Sequence, residues 1–143
     1  MIAQNYSRMR AAIQEYGCYF LSLTWFGWKY GQLELSAELI NEELYETFVK
    51  RGWMRETCFI LRPDEILNYL RVPVTGVVKR PASYVVRDSE LAVGQWKASG
   101  MVSHFVAMDN DRCVAYDPWQ SREGGSRAVR EGQLISYRIF QRG

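Results

Sequence analysis

The chain of 143 residues holds one histidine, His104, and it opens an apolar run, His104-Phe105-Val106-Ala107-Met108-Asp109. Asn110-Asp111, a favourable turn pair, leads into a return run, Arg112-Cys113-Val114-Ala115-Tyr116-Asp117. A two-residue loop at 110–111 pairs position 109 with 112, and therefore His104 with Asp117. Directly opposed residues share a sheet face, with Cβ atoms about 4.5–5.5 Å apart. A carboxylate there fixes the imidazole tautomer and stabilises the imidazolium, the orienting role in a catalytic triad. The inference depends on register, because a slip of one residue turns a side chain to the other face. The plainer alternative is a packed histidine beside an Asp117-Pro118 turn.

The best nucleophile is Cys18, which follows Gly17 at the expected start of a strongly apolar helix. Free backbone N–H groups and the positive end of the helix dipole would lower its pKa and favour the thiolate. The same N–H groups could stabilise an oxyanion. Cys58 and Cys113 lie in apolar, strand-like runs and read as small core residues. Cys113, expected opposite Met108 and so on the face of His104, is the reserve candidate. Three cysteines and one histidine could in number bind zinc, but their spacing holds no close ligand pair, so no metal and no cofactor is expected. No phosphate loop, dinucleotide fingerprint or serine-nucleophile motif is present.

The elements that must position these groups fit one domain, 1–143, helical over about 1–71 and sheet-forming over about 72–143. Helices are expected over Ala3 to Tyr16, Cys18 to Tyr30, Ala37 to Lys50 with Ser36 as N-cap, and Asp64 to Leu70 after Pro63. The second has almost no polar face and should be buried. Glu38, Glu42, Glu43 and Glu46 form the wet side of the third. Strands are expected at Thr57 to Leu61, Val74 to Val78, Ala82 to Arg87, Glu90 to Lys97, Ser103 to Met108, Cys113 to Tyr116 and Leu134 to Phe140, with a loop at Gly124-Gly125. Helices first and strands second, without alternation, predict an α+β fold with an antiparallel sheet.

Composition narrows the function classes. Apolar residues at 48% and charged residues at 24% exclude a disordered chain. A net charge of +2 is too balanced for a phosphate-backbone binder. The basic C-terminal stretch, Arg122, Arg127, Arg130, Arg138 and Arg142 against Glu123 and Glu131, reads as a solvated face. No run of apolar residues is long enough to span a bilayer, and Met1 to Glu15 lacks the apolar core of a secretory signal. Dispersed cysteines fit a reducing cytoplasm. Aromatics, at 14%, form either a large core or a ring-lined cleft.

The ordered set of a cysteine at a helix start, a histidine at a strand start and an aspartate on the next strand resembles the papain-like cysteine peptidase fold. More narrowly it is similar to the bacteriocin-processing (double-glycine) peptidase-like branch. The matching pieces are 14–23, 103–108 and 114–119, with 64–72 similar to that branch's short helix before the sheet. The resemblance implies that Cys18 is the nucleophile, His104 the general base and then acid, Asp117 its orienting partner, and Gln14 an oxyanion donor. That branch usually places the glutamine six residues before the cysteine, where this chain has Ala12; Gln14 is four before. Tyr19 stands where the family often has glycine. The implied activity is a thiol hydrolase or acyl transferase acting on a peptide or protein substrate. The alternative is a catalytically inactive papain-like interaction module.

Overall fold

The computed structural model describes residues 4, 6, 8–110, 112–119 and 126–143. The expected loop at Gly124-Gly125, together with Arg122, Glu123 and the turn residue Asp111, lies outside the described residues. The architecture is α+β: a helical half precedes a five-stranded antiparallel sheet.

Helix α1 (Ala11–Tyr16) ends at Gly17, and α2 (Cys18–Gly31) begins at once. Phe20, Leu21, Leu23 and Phe26 of α2 are fully or almost fully buried, which is why this helix needs no polar face over its first turns. It emerges at Trp28 and Tyr30, both exposed. Gly31 closes it where a Cβ would strike the Leu70 carbonyl oxygen, and Gln32 follows in the left-handed conformation. Gly31→Ala is therefore expected to cost about 1–3 kcal/mol in urea unfolding, through backbone crowding rather than lost helix propensity.

The third helical stretch opens as expected, with Ser36 Oγ accepting from Leu39 N–H at 3.1 Å. It then widens into a π-helical segment, Leu39–Leu44, before continuing as α3 (Tyr45–Lys50). All four glutamates of its wet side are exposed. Asn41 in the wide turn accepts from Arg10 N–H and donates to the Arg8 carbonyl, tying the segment before α1 to this helix. Helix α4 (Pro63–Tyr69) starts at its proline.

The strands are β1 (Val74–Pro81), β2 (Glu90–Lys97), β3 (His104–Met108), β4 (Val114–Tyr116) and β5 (Gln133–Arg142), in the order β1-β5-β2-β3-β4. A four-residue helix, α5 (Arg127–Arg130), lies before β5 and was not expected from the sequence. One sheet face packs on the helices in a core that includes Val93, Ala107 and Phe140. The other carries a smaller cluster of Val86, Ala92, Val106, Met108, Tyr137 and Ile139.

Two expected strands do not form. Thr57 to Leu61 is a tight reversal with a single bridge, Met54 to Ile60, and Cys58 sits at φ 66°, which breaks the extended run. Ala82 to Arg87 is a loop whose polar groups are satisfied by a side chain. The Glu90 carboxylate accepts from the Tyr84 hydroxyl at 2.9 Å and from Arg87 N–H at 2.9 Å.

Candidate active site

The β3–β4 hairpin brings His104 and Asp117 together by a different register from the one the turn pair predicts. Ala107 pairs with Tyr116 and Met108 with Val114, with a bulge between them. Asp109 N–H bonds to the Cys113 carbonyl, and Cys113 N–H to the Asp109 carboxylate, so the loop is wider than two residues. Val114, not Cys113, faces Met108, and Cys113 is exposed outside β4. The reserve nucleophile is thereby removed from the face of His104. The bulge shifts the register while leaving His104 Nε2 and Asp117 Oδ1 2.6 Å apart.

Both members of this pair are buried, His104 completely and Asp117 at 8% exposure. Trp119 closes over the imidazole, stacked at 3.9 Å and 12°, and its backbone N–H donates to the same Asp117 oxygen at 2.8 Å. Burial alone would raise the Asp117 pKa. The His104 hydrogen bond and charge, with the Trp119 N–H, outweigh burial and hold the carboxyl below the ordinary range. An ionised carboxylate accepts, so Nε2 carries a proton, and in the neutral imidazole the lone pair is then on Nδ1. Nδ1 is buried and has no partner among the described residues. Trp119 has no role in the sequence reading; its place two residues after Asp117 is the only signal that could have found it.

Cys18 reaches the same strand by its neighbour. Strand β4 is short and leaves the first half of β3 without a strand on that side. Helix α2 fills the gap: Phe105 N–H donates to Cys18 Sγ at 3.4 Å, and Ser22 Oγ donates to the Phe105 carbonyl at 3.3 Å. Two side chains one helical turn apart thus replace the missing ladder bonds. No hydrogen bond joins Sγ to the imidazole; the thiol is held one residue along from His104.

The expected drop in the Cys18 pKa is corrected by this packing. Burial pushes the thiol up to about 11, while the N–H groups of Phe105, Tyr19 and Cys18 itself pull the other way. The helix start acts in the predicted direction, but desolvation exceeds it. At neutral pH the thiol is protonated in this arrangement.

Gln14 also departs from its expected role. Its amide donates to the Met9 carbonyl at 2.7 Å, at the opposite end of α1 from Cys18. The glutamine that approaches the site is Gln4, which the sequence does not single out. It is fully buried, its N–H bonds to the Pro118 carbonyl at 2.8 Å, and its side-chain amide donates to the Gln14 carbonyl at 3.1 Å. A cavity of about 410 Å³ lies elsewhere, lined from β1, β5 and β2 and by Tyr84 and Glu90, and none of Cys18, His104, Asp117, Gln4 and Gln14 lines it. Among the described residues no cluster of three or more His, Cys, Asp or Glu could hold a metal ion. No helix among them is long and apolar enough to cross a membrane.

Fold and site together define a mixed α+β protein with a buried His–Asp pair on its sheet and a buried thiol at the start of the helix beside it. The chain belongs to the family described as "Protein of unknown function, DUF261", whose model matches residues 1–142. No curated protein and no solved structure matches the chain.

Proposed function

We propose that this protein is a papain-like thiol hydrolase or acyl transferase with Cys18 as nucleophile, His104 as base and acid, and Asp117 as orienting group. The observation that carries the proposal is the buried His104–Asp117 pair, which leaves Nδ1 as a proton acceptor one residue from the strand position that holds Sγ. For reaction, Sγ leaves the Phe105 N–H and gives its proton to Nδ1. Thiolate attack on an amide carbonyl expels the amine, which takes the proton back from His104, and water or another nucleophile then cleaves the thioester. Backbone N–H groups at the start of α2 are the oxyanion donors in this reading; the Gln14 amide is turned to the Met9 carbonyl and does not assist them.

The buried, protonated thiol favours a second reading, an inactive interaction module on the same fold. Site-resolved alkylation by iodoacetamide across pH 4 to 10 separates the two. A Cys18–His104 pair gives modification of Cys18 that persists below pH 7 and slows about ten-fold in His104→Ala. Modification that rises only toward pH 10, at the same rate in the variant, leaves the module and ends the hydrolase reading.

A further inference from the structure

The sheet face that carries Phe105 continues past the helices into a polar shelf beside the start of α2. Strand register places Lys79 directly opposite Arg138, and Gln95 between Phe105 and Ser136, all on this face. Arg138 donates to Ser136 Oγ at 2.9 Å and to Gln95 Oε1 at 3.5 Å, and its guanidinium lies 5.4 Å from the Phe105 ring centre. Ser136 and Ser103 each bond to Gln95 in turn. Every one of these acceptors is neutral. Among the described residues neither Arg138 nor Lys79 has a carboxylate within ion-pair distance. Like charges set opposite each other on a sheet repel, and a half-buried guanidinium without a counter-charge is costly. The remaining Arg138 donors suit the two oxygens of a carboxylate.

A second observation lies on the same floor. Tyr19, next to Cys18, stacks on Phe105 at 4.8 Å and 19°. Its hydroxyl is shielded from solvent and has no hydrogen-bond partner among the described residues. The Phe105 backbone holds the thiol and the Phe105 ring lies under both Tyr19 and Arg138, so the shelf and the nucleophile share one residue.

We infer that Arg138, assisted by Lys79, is the anchor for a carboxylate-bearing group of the ligand that lies beside Cys18, with the Tyr19 hydroxyl as a further donor. The inference rests on the proposed hydrolase for its meaning: the substrate is an acidic peptide or amide, and Arg138 selects it without taking part in bond cleavage.

The test is a titration of the wild type and of Cys18→Ala with N-acetyl-glutamate and with its uncharged diamide, following the backbone N–H signals of Phe105 and Gln95 by NMR. The acid is expected to give saturable shifts in both proteins, weakened by added salt, and the diamide none. Arg138→Met is expected to weaken binding about ten-fold and Arg138→Lys less, since a point charge replaces a planar fork. Lys79→Met, at an exposed position, weakens it several-fold and decides the matter if Arg138→Met does not fold. Absence of shifts, equal shifts from acid and diamide, or binding unchanged in the Arg138 and Lys79 variants overturns the carboxylate site. Cys18 reactivity is scored separately. Saturable acid binding with an inert thiol keeps the site and removes the hydrolase; a reactive thiol without acid binding does the reverse.

Discussion

Asp117→Asn is expected to slow acylation of Cys18 by about two orders of magnitude or more while the fold persists. The ionised carboxylate accepts from Nε2–H and so leaves the Nδ1 lone pair for the thiol proton. An asparagine can present its NH2 to Nε2 instead. The imidazole proton then moves to Nδ1, and the base has the wrong tautomer. Even with the amide oxygen toward Nε2, no negative charge remains to stabilise the imidazolium. Trp119 stacked on the ring keeps water from taking over that role. Release of p-nitrophenolate from p-nitrophenyl acetate, with Cys18→Ala as blank, measures the effect. A rate within about three-fold of wild type would remove Asp117 from the mechanism.

The same substitution carries a pH signature in stability. The Asp117 pKa is lowered in the folded state, so the native protein favours the ionised form. The resulting stabilisation is fully present above the ordinary carboxylate pKa and is lost as pH falls through the lowered folded value. Charge-assisted hydrogen bonds of this kind contribute about 1.5–3 kcal/mol. Urea unfolding should therefore show wild type more stable than Asp117→Asn by about 2 kcal/mol at pH 7, with the gap closing in acid. A constant gap from pH 7 to pH 2.5 would mean that packing, not charge, sets the difference.

Gly17→Ala is expected to lower the midpoint of thermal unfolding by about 10 °C and to release Cys18 from Phe105. Gly17 is the joint between α1 and α2: its N–H bonds to the Ile13 carbonyl at 2.9 Å, and its own carbonyl accepts from Leu21 N–H at 2.8 Å. Its φ of −85° is open to any residue, so conformation does not demand glycine here. Space does. A Cβ at 17 would lie 2.5 Å from the Ile13 carbonyl oxygen and 2.8 Å from its Cα. Ile13 is completely buried and cannot retreat without moving the core. Overpacking of this sort costs about 1–3 kcal/mol, and a few degrees per kcal/mol gives the shift. Gly76→Ala, where an added Cβ meets nothing within 4 Å, is the control and should be near neutral. In Gly17→Ala the Phe105 N–H should lose exchange protection; retained protection with wild-type stability would show that the joint tolerates a methyl group.

The residues of the candidate site were more legible in the sequence than their geometry. His104, Asp117 and Cys18 could be picked out because each residue type has its chemistry at an element boundary that turn and glycine signals mark. The β2 bounds and the α2 start could be read directly, since both are apolar runs with clear edges. The register was not legible, because a bulge at Ala107/Met108 depends on tertiary packing rather than on the turn dipeptide. Nor could the sign of the Cys18 shift be read, since it depends on how completely β3 and α2 exclude water. Ala82 to Arg87 has strand-like residues, yet it is a loop whose Tyr84 hydroxyl and Arg87 N–H are taken up by the nearby Glu90 carboxylate, a local side-chain contact that residue type alone does not signal. The C-terminal arginines, read as one solvated face, have separate engagements: Arg127 with Glu131, Arg138 with the shelf, Arg142 over Tyr30.

The position of β5 sets the order in which the molecule can be made. Its ten residues lie between β1 and β2 and bond to both, although those two strands are synthesised first. On a ribosome β1 and β2 emerge with no partner for their facing edges, and the apolar first turns of α2 have only part of a sheet to cover them. Closure of the long β1–β5 and β2–β5 loops must precede most of the stabilising contacts. Assembly of the sheet therefore waits for β5. Until β5 pairs, the facing edges of β1 and β2 are the surfaces most open to aggregation, and its insertion covers both at once.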